Sequence, residues 1–383
     1  MVKIEKIKNL KTPFYYYDME LLEKTIGIVK EEANKYGYMV HYALKANFDE
    51  RILQKMRVAG FGVDCVSGNE VRYAVEKGFD TNKIVFAGVG KSDEEISYAL
   101  DHKIFSFNCE SKNELEVINE IAKSRCTVAD VALRINPDLN PNTHKYISTG
   151  GKENKFGISP IELKEIIEML PNLKNVNIIG LHFHIGSQIL DLSDFERLAL
   201  RVNELQEWFE EKGFNLSSIN VGGGLGIDYV TPLETPIPNF KGYFKVFAEN
   251  IKLRKGQTLH FELGRSLVGQ CGTLLTKVLY NKETASGKEF VIVDAGMTDL
   301  IRPSLYQAKH YISNISSTFA ERKSYNVGGP VCESSDIFDK DIELPITKRG
   351  DILAISSVGA YGQAMASQYN LRDFAPAVYS DSI

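Results

Sequence analysis

The sequence has no Cys-x-x-Cys pair. Its five cysteines, Cys65, Cys109, Cys126, Cys271 and Cys332, are scattered and odd in number, which fits reduced thiols better than a disulfide framework or a zinc site. No apolar run approaches the length that crosses a bilayer. The first nine residues are too charged to hold the apolar core of a signal peptide. There is no clustered basic stripe, and the net charge is only -5, so nucleic acid is not the expected main partner. No Gly-x-Gly-x-x-Gly follows the early strand candidates, which weakens an open dinucleotide-binding sheet. Internal repeats and low-complexity linkers are also missing. With 43% hydrophobic and 25% charged residues, the composition is that of an ordinary soluble protein, and a cytoplasmic one is expected. Its 383 residues suffice for two domains, or one barrel with an appendage.

What is present is a rhythm. Pro13 to Asp18 reads as a strand, and the helical spacing of Leu21, Leu22, Ile26 and Val29 follows it. Eight further strand candidates then alternate with helix candidates: Val40–Leu44, Gly62–Val66, Ile84–Ala87, Ile104–Asn108, Val131–Ile135, Ile178–His184, Ser218–Val221 and Leu259–Leu263. The segment Asp194 to Phe209 shows the helical pattern well, with Ser193 or Asp194 to cap it and Gly213 to end it. Such alternation implies parallel strands joined by helical crossovers. Eight of them over this length predict an α/β fold, a (β/α)8 TIM barrel spanning residues 21–266. An open doubly wound sheet is the structural alternative. Beyond Arg265 the rhythm ends. Leu274–Tyr280, Glu289–Asp294 and Ile352–Ser356 read as strands, interrupted by a short helix at Arg302–Lys309. Residues 267–383 therefore predict a mostly β domain. Residues 1–20 can add a strand to it, a point the sequence leaves open.

In a barrel, chemistry gathers at the C-terminal ends of the strands. The first such end is His41-Tyr42-Ala43-Leu44-Lys45-Ala46-Asn47. Alone, Lys45 is most simply a surface lysine. The other strand ends change its meaning. Asp64 and Cys65 close the second strand; His182-Phe183-His184-Ile185-Gly186-Ser187-Gln188 ends the sixth. Gly222-Gly223-Gly224 ends the seventh and Glu262-Leu263-Gly264-Arg265 the eighth. A glycine turn can wrap a phosphate, or can simply be a turn. His184 is either a core histidine or a flat face for an aromatic ligand. Glu262 is either half of an ion pair with Arg265 or the partner of a protonated ring nitrogen. Taken together they describe one object: an anion, a flat ring with a basic nitrogen, and an aldehyde for Lys45. That object is pyridoxal 5'-phosphate, with Lys45 forming the Schiff base.

These motifs, with Gly329-Pro330-Val331-Cys332-Glu333-Ser334-Ser335-Asp336, resemble those of the fold-type III pyridoxal-phosphate decarboxylases. Within that group the chain is most similar to the diaminopimelate decarboxylase family, over nearly its whole length. The resemblance implies an alanine-racemase-like barrel plus a β domain, in a head-to-tail homodimer whose active sites lie at the dimer interface. It implies decarboxylation of meso-diaminopimelate to L-lysine. Lys45 would be the Schiff-base lysine and His184 the stacking residue. Ser187, Gly222, Gly223 and Gly224 would hold the phosphate, with Gly264 and the Arg265 backbone near it. Asp64 and Glu262 would belong to the cofactor site, Glu262 on the pyridine nitrogen. Arg265, Arg302 and Tyr306 would grip the carboxylate of the retained end. Tyr361 would contact phosphate and substrate. Cys332, the reprotonating residue, and Glu333, the reader of the distal amino group, would come from the partner subunit. No metal is implied.

The sequence departs from the family in having Glu-Leu-Gly-Arg for the usual Glu-Pro-Gly-Arg, and Asp373-Phe374-Ala375-Pro376 in place of a longer tail. Competing readings are a decarboxylase for carboxynorspermidine, ornithine or arginine, and a non-catalytic pyridoxal-phosphate-binding barrel. Arg302 has no carboxylate to bind on a diamine end. The β domain with Cys332 and Glu333 is foreign to a bare carrier barrel.

Overall fold

The computed structural model describes residues 7, 9–139 and 155–383; residues 1–6 and 8, part of the proposed N-terminal contribution to the β domain, lie outside them. The chain forms two compact units, one of Ile26–Gly226 and Asn239–Gly264, the other of Met1–Thr25, Ile227–Pro238 and Arg265–Ile383.

The opening strand of the chain, β1 (Phe14–Tyr17), belongs to the second unit. The first unit is a closed barrel of eight strands. These are β2 (Met39–Ala43), β3 (Gly62–Cys65), β4 (Ile84–Phe86), β5 (Ser106–Cys109), β6 (Ala129–Arg134), β7 (Val176–His182), β8 (Ser218–Asn220) and β9 (Thr258–Leu263). Every neighbouring pair is parallel, and β9 returns to β2. The eight predicted strands fall on these, with ends shifted by at most two residues. Four of the eight barrel strands are buried along their whole length, as expected when helices cover the outside of a sheet.

The crossover helices start where side chains can satisfy their first N–H groups. Asp49 accepts from Arg51 and Ile52 ahead of the helix Glu50–Ala59, which Gly60 ends at φ 85. Ser92 and Glu95 form a reciprocal capping pair. The helix Ser193–Glu211 differs from expectation: Leu192 stands at its cap without a side-chain hydrogen bond. Asp191 takes the N–H of Ser193 instead, and the proposed cap Asp194 is drawn to Arg197.

One strand shows how the interior is aimed. Phe261 of β9 packs edge-on against Phe244 and Phe247 of the helix Phe240–Asn250, at 4.9 and 5.2 Å. Successive strand side chains point to opposite faces, so His260 and Glu262 turn inward. There His260 Nδ1 meets His41 Nε2 of β2 at 2.9 Å.

In the second unit, strands β10 (Gly272–Glu283), β11 (Glu289–Val293), β12 (Ile312–Asn314), β13 (Arg322–Gly328), β14 (Ile337–Pro345) and β15 (Ile352–Ser356) form a sheet ordered β12-β15-β10-β11-β13-β14. β1 joins it antiparallel to β10, with Phe14 opposite Leu275, so the question the sequence left open is resolved in favour of an added strand. β16 (Ala377–Tyr379) lies parallel to β1. Ile7, Phe14, Leu275 and Ala354 share one apolar cluster beneath it. The predicted helix at Arg302 is shorter than expected, Arg302–Tyr306, because Gln307 takes a left-handed conformation at φ 54. Among the described residues no helix is long and apolar enough to cross a membrane.

Candidate active site

Lys45 stands on a single turn, Leu44–Ala46, directly after β2. Leu44 and Ala46 are buried on either side of it, and the Tyr42 hydroxyl donates to Asn47 O at 2.7 Å. The lysine is thus held by its neighbours while its own side chain remains 43% exposed. Its Nζ lies 3.8 Å from Asp64 Oδ2. Burial, with the charge of Glu262, pushes the Asp64 carboxyl up to about 8, against the pull of Lys45. The contact is long for an ion pair. His41 of the same motif is a core group instead. Its Nδ1 faces Lys83 O at 3.0 Å and its ring stacks on His260.

Glu262 is the best-connected group in the barrel. Asn108 Nδ2 and Asn220 Nδ2 donate to its Oε1 at 2.9 and 2.8 Å, and His182 Nε2 donates to Oε2 at 2.9 Å. Strands β5, β7 and β8 each supply one of these donors. Burial opposes the charge, but His182, the field of His184 and that of Lys45 hold the carboxyl far below the usual carboxylate range. A carboxylate only accepts, so His182 carries its proton on Nε2. His184, two residues on, is held well below the ordinary histidine range, by burial first and then by Arg134 and Lys45. It is therefore neutral at neutral pH, and its Nδ1 accepts weakly from Gly223 N at 3.3 Å. Arg134 is itself paired with Glu110 at 2.6 Å.

The glycine turn is required by packing alone. A Cβ on Gly222 would lie 2.3 Å from Phe183 O, and one on Gly223 would lie 2.0 Å from Glu262 O. Gly222 and Gly224 also have φ of 70° and 104°. Of the three N–H groups, that of Gly222 is taken by Asn220 Oδ1 and that of Gly223 by His184. The N–H of Gly224 has no partner among the described residues. Ser187 is half-buried in the loop after β7, and Gly264 is buried just past β9. Leu263, the departure from the family motif, is buried in register with Tyr42.

The second unit gathers a different set. Arg265 and Arg302 are both buried. Arg265 Nη1 and Arg302 Nη1 donate to one hydroxyl, that of Tyr229, at 2.8 and 2.9 Å. Arg302 Nη1 also lies 2.9 Å from His310 Nε2. An arginine has no acceptor to offer, so this nitrogen accepts and the proton sits on His310 Nδ1, facing Ser356 O at 2.9 Å. Burial and the two arginines hold His310 at about 3, hence neutral. The Tyr361 ring lies 4.9 Å beneath the Arg265 guanidinium. Tyr306, half-buried, is close enough to raise the Arg265 pKa. Arg302 has no carboxylate partner among the described residues. Cys332 and Glu333 stand apart from this set. Both are exposed; Cys332 N donates to Asn370 Oδ1 at 3.1 Å, and Glu333 Oε1 accepts from the Tyr369 hydroxyl at 2.6 Å.

His182 stood in a quoted motif and Asn220 in the seventh predicted strand, neither with an assigned role. Their signal was spacing: each ends a strand two residues before a proposed site residue. Asn108, Arg134, Tyr229 and His310 carried no such mark.

The barrel residues fit pyridoxal phosphate. Asn108 Oδ1, His182 Nδ1 and Asp64 Oδ1 are buried acceptors without a hydrogen-bond partner, which a native interior rarely tolerates. Asn108 and His182 also hold the ionised Glu262 carboxylate, which suits a protonated ring nitrogen. Residues 22–269 match the family described as pyridoxal-dependent decarboxylase, pyridoxal binding domain, and the chain is a member of that class of enzyme. The diaminopimelate decarboxylase of Bacteroides thetaiotaomicron is 54% identical over 99% of this chain and 98% of its own length. That of Aquifex aeolicus is 39% identical over 98% and 88%. The crystal structure of the Helicobacter pylori diaminopimelate decarboxylase complexed with L-lysine superimposes with a TM-score of 0.92 at 40% identity, covering 99% of this chain and 94% of that one. The M. jannaschii enzyme, in co-complex with L-lysine, gives 0.90 at 36% identity, covering 99% and 89%. The chain belongs to the diaminopimelate decarboxylase family.

Proposed function

We propose that this chain catalyses the decarboxylation of meso-2,6-diaminopimelate to L-lysine and CO2, the last step of lysine biosynthesis, in the cytoplasm and as a homodimer. The observation that carries the substrate assignment is the buried Arg302, a cation whose protein partners are a phenol and a neutral imidazole. A buried charge without a counter-charge is costly, and a carboxylate on the retained end of the substrate supplies one. Diamine-ended substrates do not.

In this reading residues 21–266 are the cofactor-binding barrel, and residues 267–383, with part of 1–20, the substrate and dimerisation domain. Bound pyridoxal phosphate supplies an electron sink for the pair released as CO2 leaves. Lys45 holds the cofactor covalently. Glu262, kept ionised by its three donors, holds a proton on the ring nitrogen. His184, kept neutral, offers a flat uncharged face. Ser187 and Gly222 to Gly224 take the phosphate, with Gly264, Arg265 and Tyr361 near it and Asp64 beside Lys45. Arg265, Arg302 and Tyr306 bind the retained carboxylate. The partner subunit's Cys332 returns a proton to the α-carbon, and the partner subunit's Glu333 pairs with the distal ammonium; both residues are exposed in the single chain, as an intersubunit role requires.

The test is CO2 release from meso-diaminopimelate, ornithine, arginine and carboxynorspermidine measured side by side. Only the first is expected to turn over, and Arg302→Ala should raise its KM by about 100-fold without loss of cofactor. Release from ornithine at a comparable rate would overturn the assignment. Sharing of sites has its own test. Lys45→Ala and Cys332→Ala subunits, each inactive alone, should regain about a quarter of wild-type activity per dimer when mixed, since half of the dimers are mixed and each holds one intact site. Heterodimers that form but stay inactive would exclude the partner's Cys332.

A further inference from the structure

We propose that Tyr229 is the positioning residue that makes the Arg265–Arg302 pair selective for a carboxylate. Its hydroxyl sets the spacing of the two guanidinium groups and donates its own proton to the carboxylate they bind. The inference deepens the decarboxylase reading and rests on it for its substrate.

The hydroxyl of a tyrosine has two acceptor sites and one proton. Both acceptor sites are filled, by Arg265 at 2.8 Å and Arg302 at 2.9 Å. No acceptor for the proton exists among the described residues. Two cations thus converge on one oxygen atom, held apart by it, with an unused donor between them. Burial opposes ionisation of this phenol, but the two guanidinium charges prevail and hold its pKa below the usual tyrosine range. A more acidic phenol is a better donor to an anion. An ammonium or methyl group placed there would leave the tyrosine proton without an acceptor and set a cation or an apolar group against two guanidinium groups, which is the strong form of discrimination.

The tyrosine is fixed for this task. Its ring faces both guanidinium groups, at 5.1 Å for Arg302 and 6.0 Å for Arg265, and meets His310 edge-on at 5.0 Å. The loop that bears it is pinned by Asp228. That carboxylate takes the N–H groups of Val230 and Thr231 at 2.7 and 2.9 Å and the Thr231 hydroxyl at 2.6 Å. His310 locks Arg302 from the other side. Phenylalanine would keep the ring contacts and lose only the hydroxyl.

The experiment compares wild type with Tyr229→Phe, both loaded with pyridoxal phosphate. It reads kcat and KM for meso-diaminopimelate, and calorimetric binding of L-lysine and of cadaverine, which has the same chain without a carboxylate. Tyr229→Phe should raise the KM for diaminopimelate and the Kd for L-lysine by about 10- to 100-fold. It should leave kcat and cadaverine binding unchanged. A loss shared equally by L-lysine and cadaverine means a structural role and overturns the proposal, as does no loss for L-lysine. If wild type fails to decarboxylate diaminopimelate while its L-lysine binding still depends on Tyr229, the decarboxylase reading falls and the carboxylate selectivity stands. If wild type is active and Tyr229→Phe behaves like it, the selectivity falls alone.

Discussion

Lys45→Ala protein supplied with pyridoxal phosphate is expected to lack the visible absorbance of the lysine-bound cofactor. Its CO2 release should fall at least about 10⁴-fold, the scale on which removal of a covalent nucleophile acts. The reason is local. Lys45 is the lysine that the β2 turn presents within the field of Glu262 and His184. Stability should hardly change, because the side chain is half-exposed and its ionic contact to Asp64 is 3.8 Å long. An unfolding curve that matches wild type, with the absorbance gone, is the predicted pair of results. Absorbance that persists in the variant would remove Lys45 from its role.

The second large effect is expected at Glu262. Glu262→Gln should lower kcat by about 10²- to 10³-fold, the range for losing one preorganised charge partner in a dry site, and should cost little stability. An amide oxygen can still accept from Asn108 and Asn220. The new amide N–H₂ faces His182 Nε2, and His182 can adapt by moving its proton to Nδ1, which has no partner. Loss of the negative charge also has a sign that can be read separately. Glu262 helps to push Asp64 up to about 8, so Asp64 should titrate lower in the variant, visible in its carboxyl infrared band. Wild-type kcat in Glu262→Gln, with cofactor bound, would rule out the ring-nitrogen role.

The barrel was legible because its strands are short buried runs set at a steady interval, and burial on both faces leaves a plain mark in the sequence. The ribbon of β13 and β14 was not. Arg322, Lys323 and Ser324 open β13 exposed, and β14 carries Asp339, Lys340 and Asp341, so neither strand alternates in the way a half-buried strand does. The same contrast holds within the site. Lys45, His184 and Glu262 lie at strand ends, where position alone is informative. Asn108 reads as any strand residue until β9 is folded across the barrel interior from it. Tyr229 and His310 are far apart in the chain, and only the β-rich unit brings them to Arg302. The need for glycine at 222 and 223 was readable. Its cause was not: it lies in the carbonyls of Phe183 and Glu262, which belong to other strands.

The closure of β9 on β2 has a temporal consequence. His41 and His260, which meet across that seam, are 219 residues apart, and Glu262 is in register with His41. Lys45 and the carboxylate proposed for the cofactor's nitrogen therefore stand on the two edges that join last. On a ribosome the lysine emerges early and waits for almost the whole barrel before its companion exists. A chain stalled before β9 carries the lysine but lacks the carboxylate proposed for the cofactor's nitrogen.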